Sequence, residues 1–324
     1  MYVISLKKSL QTLISEVVNF TKEDFKKSVY VYVAILLISL LIANYKFGLY
    51  PDWIRKTYYS GDSWWTMPLF YLSVYFLAAI PTLLLRKEYA MLRNPTFYLK
   101  SALFVALYGI AVGYYKYNDF SFANMTVSES AFVRSVISQL KCAVFFLLPL
   151  LLMKFTVDKP VNGFYGIASH PKHLDAYFTL FIVMIPFLIL TSFSGDFLKA
   201  YPQFRPWYYE GIFGMKTWEY TLIYETAYAL DFVMTELIFR GTLVVGLMIL
   251  MGRSAILPMV VFYCSIHFGK PLLEAISSIF GGYILGALAY QTRHIWGGIM
   301  VHICIALTME IMGFIHYYIL KTAG

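Results

Sequence analysis

An all-α, polytopic transmembrane bundle of about eight to nine helices is the fold this sequence predicts, and three observations predict it. The chain is 60% hydrophobic and only 14% charged over 324 residues, which no water-soluble domain of this size requires. Apolar runs of about 20 residues, enough to cross a hydrocarbon core, recur along it. Aromatic residues, 19% of the chain, gather at the ends of those runs, as in Tyr58-Tyr59, Trp64-Trp65, Tyr114-Tyr115 and Trp207-Tyr208-Tyr209, where they form interfacial belts.

Taken in order, residues 1–28 carry Lys7, Lys8, Lys22, Lys26 and Lys27 with no small-residue cleavage site after an apolar stretch, so no removable signal peptide is visible. They read as a cytoplasmic N-terminal segment. Spans follow at Val29–Phe47, Trp65–Leu85, Phe97–Tyr115, Val136–Phe155 and Ala176–Phe193; residues 29–193 thus read as a scaffold whose middles hold almost nothing ionisable. The N-terminus and the second and fourth loops are richer in Lys and Arg than the alternate loops, which favours a cytoplasmic N-terminus. The net charge of +8 is accounted for by that bias. No basic stripe stands apart from the loops, so nucleic acid is excluded as a partner.

A loop at 194–217, with Tyr201-Pro202 and Arg205-Pro206, separates the scaffold from a second region, 218–324. Its helices are expected at Trp218–Met251, Ala255–Phe268, Leu272–Tyr290 and Ile295–Leu320. At about 1.5 Å per residue the first would be roughly 50 Å long against a core of about 30 Å, so it must tilt, protrude or break. This region also concentrates the ionisable residues of the spans. Glu236 and Arg240 lie at i,i+4, about 40° apart on one helical face, and can neutralise each other without another helix. An ionisable group at bilayer depth costs about 2.5–3.5 kcal/mol on insertion scales, so such residues pair, face the protein interior and mark a site. His267 closes one apolar helix and is followed by Gly269 and Pro271, a helix stop. His302 lies inside the last helix. Between them Ser278, Gly282 and Gly286 form a small-residue ladder suited to close packing of the helices that carry the two histidines.

Other features carry less. Cys142, Cys264 and Cys304 sit in apolar helices, where a thiol behaves as a small hydrophobe, so neither a disulfide framework nor a zinc ribbon is expected. His170-Pro171-Lys172-His173 has no full ligand set around it, and there is no His-Glu-x-x-His helix; no metal and no cofactor is expected.

The pattern resembles the CPBP intramembrane proteases, also called the CAAX protease or Abi family, over roughly Trp218 to Gly313. The family motifs are Glu-Glu-x-x-x-Arg, Phe-x-x-x-His and His-x-x-x-Asn; the corresponding stretches here are Thr235-Glu236-Leu237-Ile238-Phe239-Arg240, Tyr263-Cys264-Ser265-Ile266-His267 and His302-Ile303-Cys304-Ile305-Ala306. HFGKPLLEAI and TRHIWGGIMVH are similar to a bacterial branch whose motif lacks the first glutamate. Thr235 stands in place of that glutamate, Tyr263 in place of Phe, and Ala306 in place of Asn.

The resemblance implies peptide hydrolysis within the membrane, with a carboxylate and a histidine activating water and a second histidine stabilising the oxyanion. It assigns His267 to the first role and His302 to the second, with Thr235, Tyr263 and Ala306 as lining residues. Glu236, oriented by Arg240, is one candidate carboxylate, although pairing with an arginine makes it a weaker proton acceptor; Glu225, Glu274 and Glu310 are the alternatives.

Two functions follow. One is an intramembrane endopeptidase of the glutamate/histidine type acting on a membrane-tethered peptide or protein. The other is a catalytically silent membrane scaffold or complex subunit with membrane protein partners. A transporter, for which intramembrane Glu, Arg and His would form a proton relay, lacks support from any inverted repeat. The expected setting, among membrane lipids, is a bacterial cytoplasmic (inner) membrane.

Overall fold

The computed structural model describes residues 2–156, 158, 163–168, 171 and 174–323, so His170 and His173 of the two-histidine loop lie outside the described residues. Among the described residues there are helices and no strands, only an isolated bridge between Phe164 and Ile167. Among the described residues eight helices are long and apolar enough to cross a membrane, and the chain is an integral membrane protein.

Helix α1, Tyr2–Asp24, precedes the first span. Leu13, Val17 and Phe20 recur at helical spacing and turn one face inward, where Leu13 joins Ala176, Tyr177 and Leu285, and Phe20 meets the rings of Tyr283 and Tyr290 edge-on. In α2, Lys27–Tyr45, the buried residues Val29, Val33 and Leu37 repeat every fourth position. The opposite face presents Val31, Ile35, Ile38 and Ile42, an apolar surface that acyl chains solvate.

Helices α3, Ser63–Arg86, and α4, Pro95–Gly113, pack closely. Glycine is required at the contact, because a Cβ on Gly109 would lie 2.5 Å from the Pro68 Cα and one on Gly113 2.3 Å from the Ser63 carbonyl. Pro95 at the first position and Asn94, whose side chain accepts from the Thr96 N–H at 2.9 Å, start α4. Helix α5, Val127–Cys142, opens on a Thr126–Glu129 capping box and continues through a π-helical stretch, Ala143–Leu147, to Thr156; it begins a full two turns before the expected Val136 because polar residues on its first turns do not interrupt a capped helix. Helix α6 is Leu174–Ser192.

The stretch expected as one long helix, Trp218–Met251, resolves its excess length by changing pitch and then breaking. Helix α7, Thr217–Glu236, widens into a π-helix, Leu237–Gly246, and a last turn, Met248–Met251, stops at Gly252, whose backbone angles (φ 54°, ψ −135°) suit glycine. The chain turns there into α8, Ile256–Ser265, followed by α9, Leu272–Thr292, and α10, Trp296–Ala323. The α7–α8 region is the centre of the bundle: 67% of its most apolar window is buried, against 22% for α2 and for α6. The small-residue ladder of α9 lies on α8 as its spacing suggests, since a Cβ on Gly282 would meet the Tyr263 ring at 3.0 Å and one on Gly286 the Met259 side chain at 2.6 Å.

Candidate functional site

Glu236 is the last residue of the regular part of α7, at the point where the helix widens, and nothing of it is exposed. Its Oε1 accepts from Arg240 Nη1 at 2.6 Å, the i,i+4 pairing that the sequence suggests. The same oxygen lies 2.6 Å from Nδ1 of His302, which α10 brings in from the opposite side. Gly298, one turn before His302, permits this approach, because a Cβ there would fall 2.1 Å from Glu236 Oε2.

Tyr263 of α8 completes the cluster. Its hydroxyl lies 2.6 Å from His302 Nε2, and its ring carries the Arg240 guanidinium 4.4 Å above its centroid. Its backbone carbonyl, two residues before the helix end, accepts from His267 Nδ1 at 2.9 Å. A carbonyl can only accept, so the proton of a neutral His267 sits on Nδ1 and the Nε2 lone pair is left free. His267 lies in the turn between two spans, where burial holds its imidazole down, to about 3, and therefore neutral near pH 7. Glu236, Arg240, His302, Tyr263 and His267 thus form one connected polar chain contributed by α7, α8 and α10.

The His267 turn is gripped from the first half of the molecule. Asn44, 2% exposed at the end of α2, donates through Nδ2 to the Phe268 carbonyl at 2.9 Å and accepts the Tyr50 N–H at 3.1 Å. The Tyr45 hydroxyl donates to the Lys270 carbonyl at 2.8 Å. These positioning contacts are absent from the sequence reading; a lone amide at the end of an apolar span was the available signal for Asn44, and the pair Gly297-Gly298 one turn before a histidine was the signal for Gly298.

The alternative carboxylates have different surroundings. Glu310, 1% exposed, accepts the backbone N–H groups of Gln203 and Phe204, which tie α10 to the loop after α6. Glu274 takes the Lys270 ammonium at 2.5 Å and lies 3.4 Å from the Tyr201 hydroxyl. Glu225 keeps both carboxylate oxygens buried with no hydrogen-bond partner among the described residues. Thr235 is partly buried beside Glu236. Ala306 is packed with Phe132, Phe204, Tyr220, Tyr224 and Tyr228, an aromatic cluster. No group of three or more His, Cys, Asp or Glu side chains suited to a metal ion occurs among the described residues.

No curated protein and no solved structure matches this chain. A family model does match, over residues 217–308: that of the type II CAAX prenyl endopeptidase Rce1-like proteins. The matched stretch runs from the first residue of α7 to beyond His302 and holds Glu236, Arg240, Tyr263 and His267 between, so that the C-terminal helices of this integral membrane protein are similar to the Rce1-like proteins, a likeness consistent with the CPBP (CAAX protease) family.

Proposed function

We propose that the chain is an intramembrane endopeptidase that hydrolyses a peptide bond of a membrane-tethered substrate, with His267 as the base. The observation that carries this reading is the free Nε2 of a neutral histidine at one end of a connected polar chain inside an apolar bundle. His267 Nε2 takes a proton from water, the resulting hydroxide adds to the scissile carbonyl, and the proton passes to the leaving amine. His302 and the Tyr263 hydroxyl, 2.6 Å apart, share a proton that can be presented to the oxyanion. Glu236 and Arg240 fix the His302 ring and are positioning residues in this scheme. The departure at Thr235 then removes one carboxylate from the family arrangement without removing the base.

A second reading, a silent membrane scaffold, is favoured by one observation: Glu236 is wholly buried and Tyr263 is 3% exposed, so a substrate touches neither the carboxylate nor the phenol without a rearrangement. Purified protein incubated with a library of membrane-tethered peptides separates the two. Cleavage by the parent that is lost in both His267→Ala and Glu236→Gln supports the endopeptidase; no cleavage by a well-folded parent moves the assignment to the scaffold. The setting we propose is a bacterial cytoplasmic membrane with the N-terminus inside, which protease accessibility of an N-terminal tag in sealed vesicles tests.

A further inference from the structure

Beside the His267 turn lies a recess of about 350 Å³ that the proposed hydrolysis does not use. Its walls are the end of α2, the interfacial segment Leu49–Ile54 that follows it, and the turn Phe268-Gly269-Lys270. Charge is unevenly distributed around it. Asp52 is occupied by Lys56 at 3.8 Å, and the Lys270 ammonium by Glu274. Lys46 and Arg55 remain, both exposed and neither paired with a carboxylate among the described residues.

The depth of the recess is set by what surrounds it. It sits where α2 ends and α9 begins, among the exposed rings of Phe47 and Trp53, which are 66% and 72% exposed and mark the membrane–water boundary. From there the lipid-facing row Ile35, Ile38 and Ile42 descends along α2, while Leu273 and Phe280 are exposed on α9. A cationic cup at headgroup level with apolar flanks below it fits an amphiphile bearing a phosphate, whose charge Lys46 and Arg55 would meet while its acyl chains follow the apolar flanks.

We infer that this recess binds the phosphodiester headgroup of an anionic phospholipid, with Lys46 and Arg55 as its cationic ligands. The same walls hold the His267 turn: Asn44 and Tyr45 bond its carbonyls, and Gly269 lets the Tyr50 ring lie against it, since a Cβ at 269 would come 3.1 Å from that ring. A lipid seated there therefore braces the turn that positions His267. Binding does not depend on the peptidase reading, and its test reads no proteolysis.

The test is native mass spectrometry of the full chain released from nanodiscs of phosphatidylcholine with 20% phosphatidylglycerol, on the order of a typical anionic fraction, with Lys46→Gln/Arg55→Gln as the variant. The expected result is preferential retention of phosphatidylglycerol by the parent, reduced roughly tenfold in the variant. Addition of glycerol 3-phosphate to the detergent-solubilised protein distinguishes the source of the phosphate: retention of the lipid unaffected by it assigns the site to the intact amphiphile, whereas full displacement at low millimolar concentration overturns the lipid assignment. Equal retention of both lipids, or equal retention by parent and variant, overturns the site. A parallel double change at the opposite ends of the helices, Lys27→Gln at the start of α2 and Lys87→Gln just after α3, should leave retention unchanged; the same loss there would reduce the effect to net charge and likewise overturn it.

Discussion

Two buried ion pairs at different places in this bundle are satisfied to different degrees. Near the end of α3, Arg86 Nη2 donates to Asp24 Oδ1 at 2.8 Å and to the Asp24 carbonyl at 3.0 Å, and the Tyr30 hydroxyl donates to the other oxygen, Oδ2, at 2.7 Å. Both carboxylate oxygens are used, and of this group only Arg86 Nε is buried without a hydrogen-bond partner among the described residues. At the centre, Glu236 Oε1 meets both Arg240 and His302, whereas Glu236 Oε2, Arg240 Nε and Arg240 Nη2 are buried without a hydrogen-bond partner among the described residues. Buried polar atoms are nearly always satisfied, and an unsatisfied group costs about 1–3 kcal/mol. A pair retained only to join helices resembles the first. The second keeps donor and acceptor capacity unspent in the cluster that also holds the two histidines, as a site does that binds something polar or rearranges.

The largest expected effect breaks the central pair. Arg240→Met leaves the buried Glu236 carboxylate without a permanent cation, with only the His302 imidazole beside it, and should cost about 3–5 kcal/mol, measured by reversible unfolding in mixed detergent. Arg86→Met should cost less, roughly 1.5–3 kcal/mol, because Asp24 retains the Tyr30 hydroxyl. Asp196→Asn, which removes an exposed pair with Lys199 at 3.5 Å, should be nearly silent. If Arg86→Met proves as costly as Arg240→Met, the degree of satisfaction is not what separates the two pairs.

A second expectation concerns the closeness of α10 to Glu236. Gly298→Ala places a Cβ 2.1 Å from Glu236 Oε2 and must displace the carboxylate or the helix, at about 1–3 kcal/mol. Gly281→Ala on α9 meets nothing within 4 Å and should be neutral or stabilise by up to about 1 kcal/mol. Equal thermal midpoints for the two variants would show that α10 yields easily and that the Glu236–His302 contact is not rigidly held.

Most of the fold was legible because apolar length is a strong signal in a membrane protein: each expected span corresponds to a helix, within a few residues for α2, α3, α4 and α6. The long Trp218–Met251 stretch gave away its excess length but not the remedy, since neither a π-helical pitch nor the reversal at Gly252 has a distinctive residue pattern. At the site, the i,i+4 spacing of Glu236 and Arg240 foretold their pairing, because both ends belong to one helix. The meeting of Glu236 with His302, and of Tyr263 with both histidines, depends on how three helices cross. Periodicity within a helix does not encode that. The α1 helix was missed for a related reason: its face is apolar only at Leu13, Val17 and Phe20, and its partners lie far along the chain.

The smallest effect concerns the part of the site that reaches the interface. His267 has a folded-state value of about 3 against 6.5 for a free imidazole, with burial as the main cause, followed by the neighbouring Lys270 ammonium. Between those two values the unfolded chain binds the proton that the folded chain refuses, so this residue contributes stability above pH 6.5 that is lost as the pH falls toward 3. His267→Gln, which can still donate to the Tyr263 carbonyl, removes the titration while keeping the bond. The variant should therefore resist acid better, its unfolding midpoint moving down by a fraction of a pH unit, since the ring is partly exposed and many carboxylates titrate over the same range. An unchanged midpoint would mean that the imidazole protonates in the folded state without penalty. The His267 turn would then open readily to water, and the distinction between a sealed central pair and an accessible base would be sharper than the static distances convey.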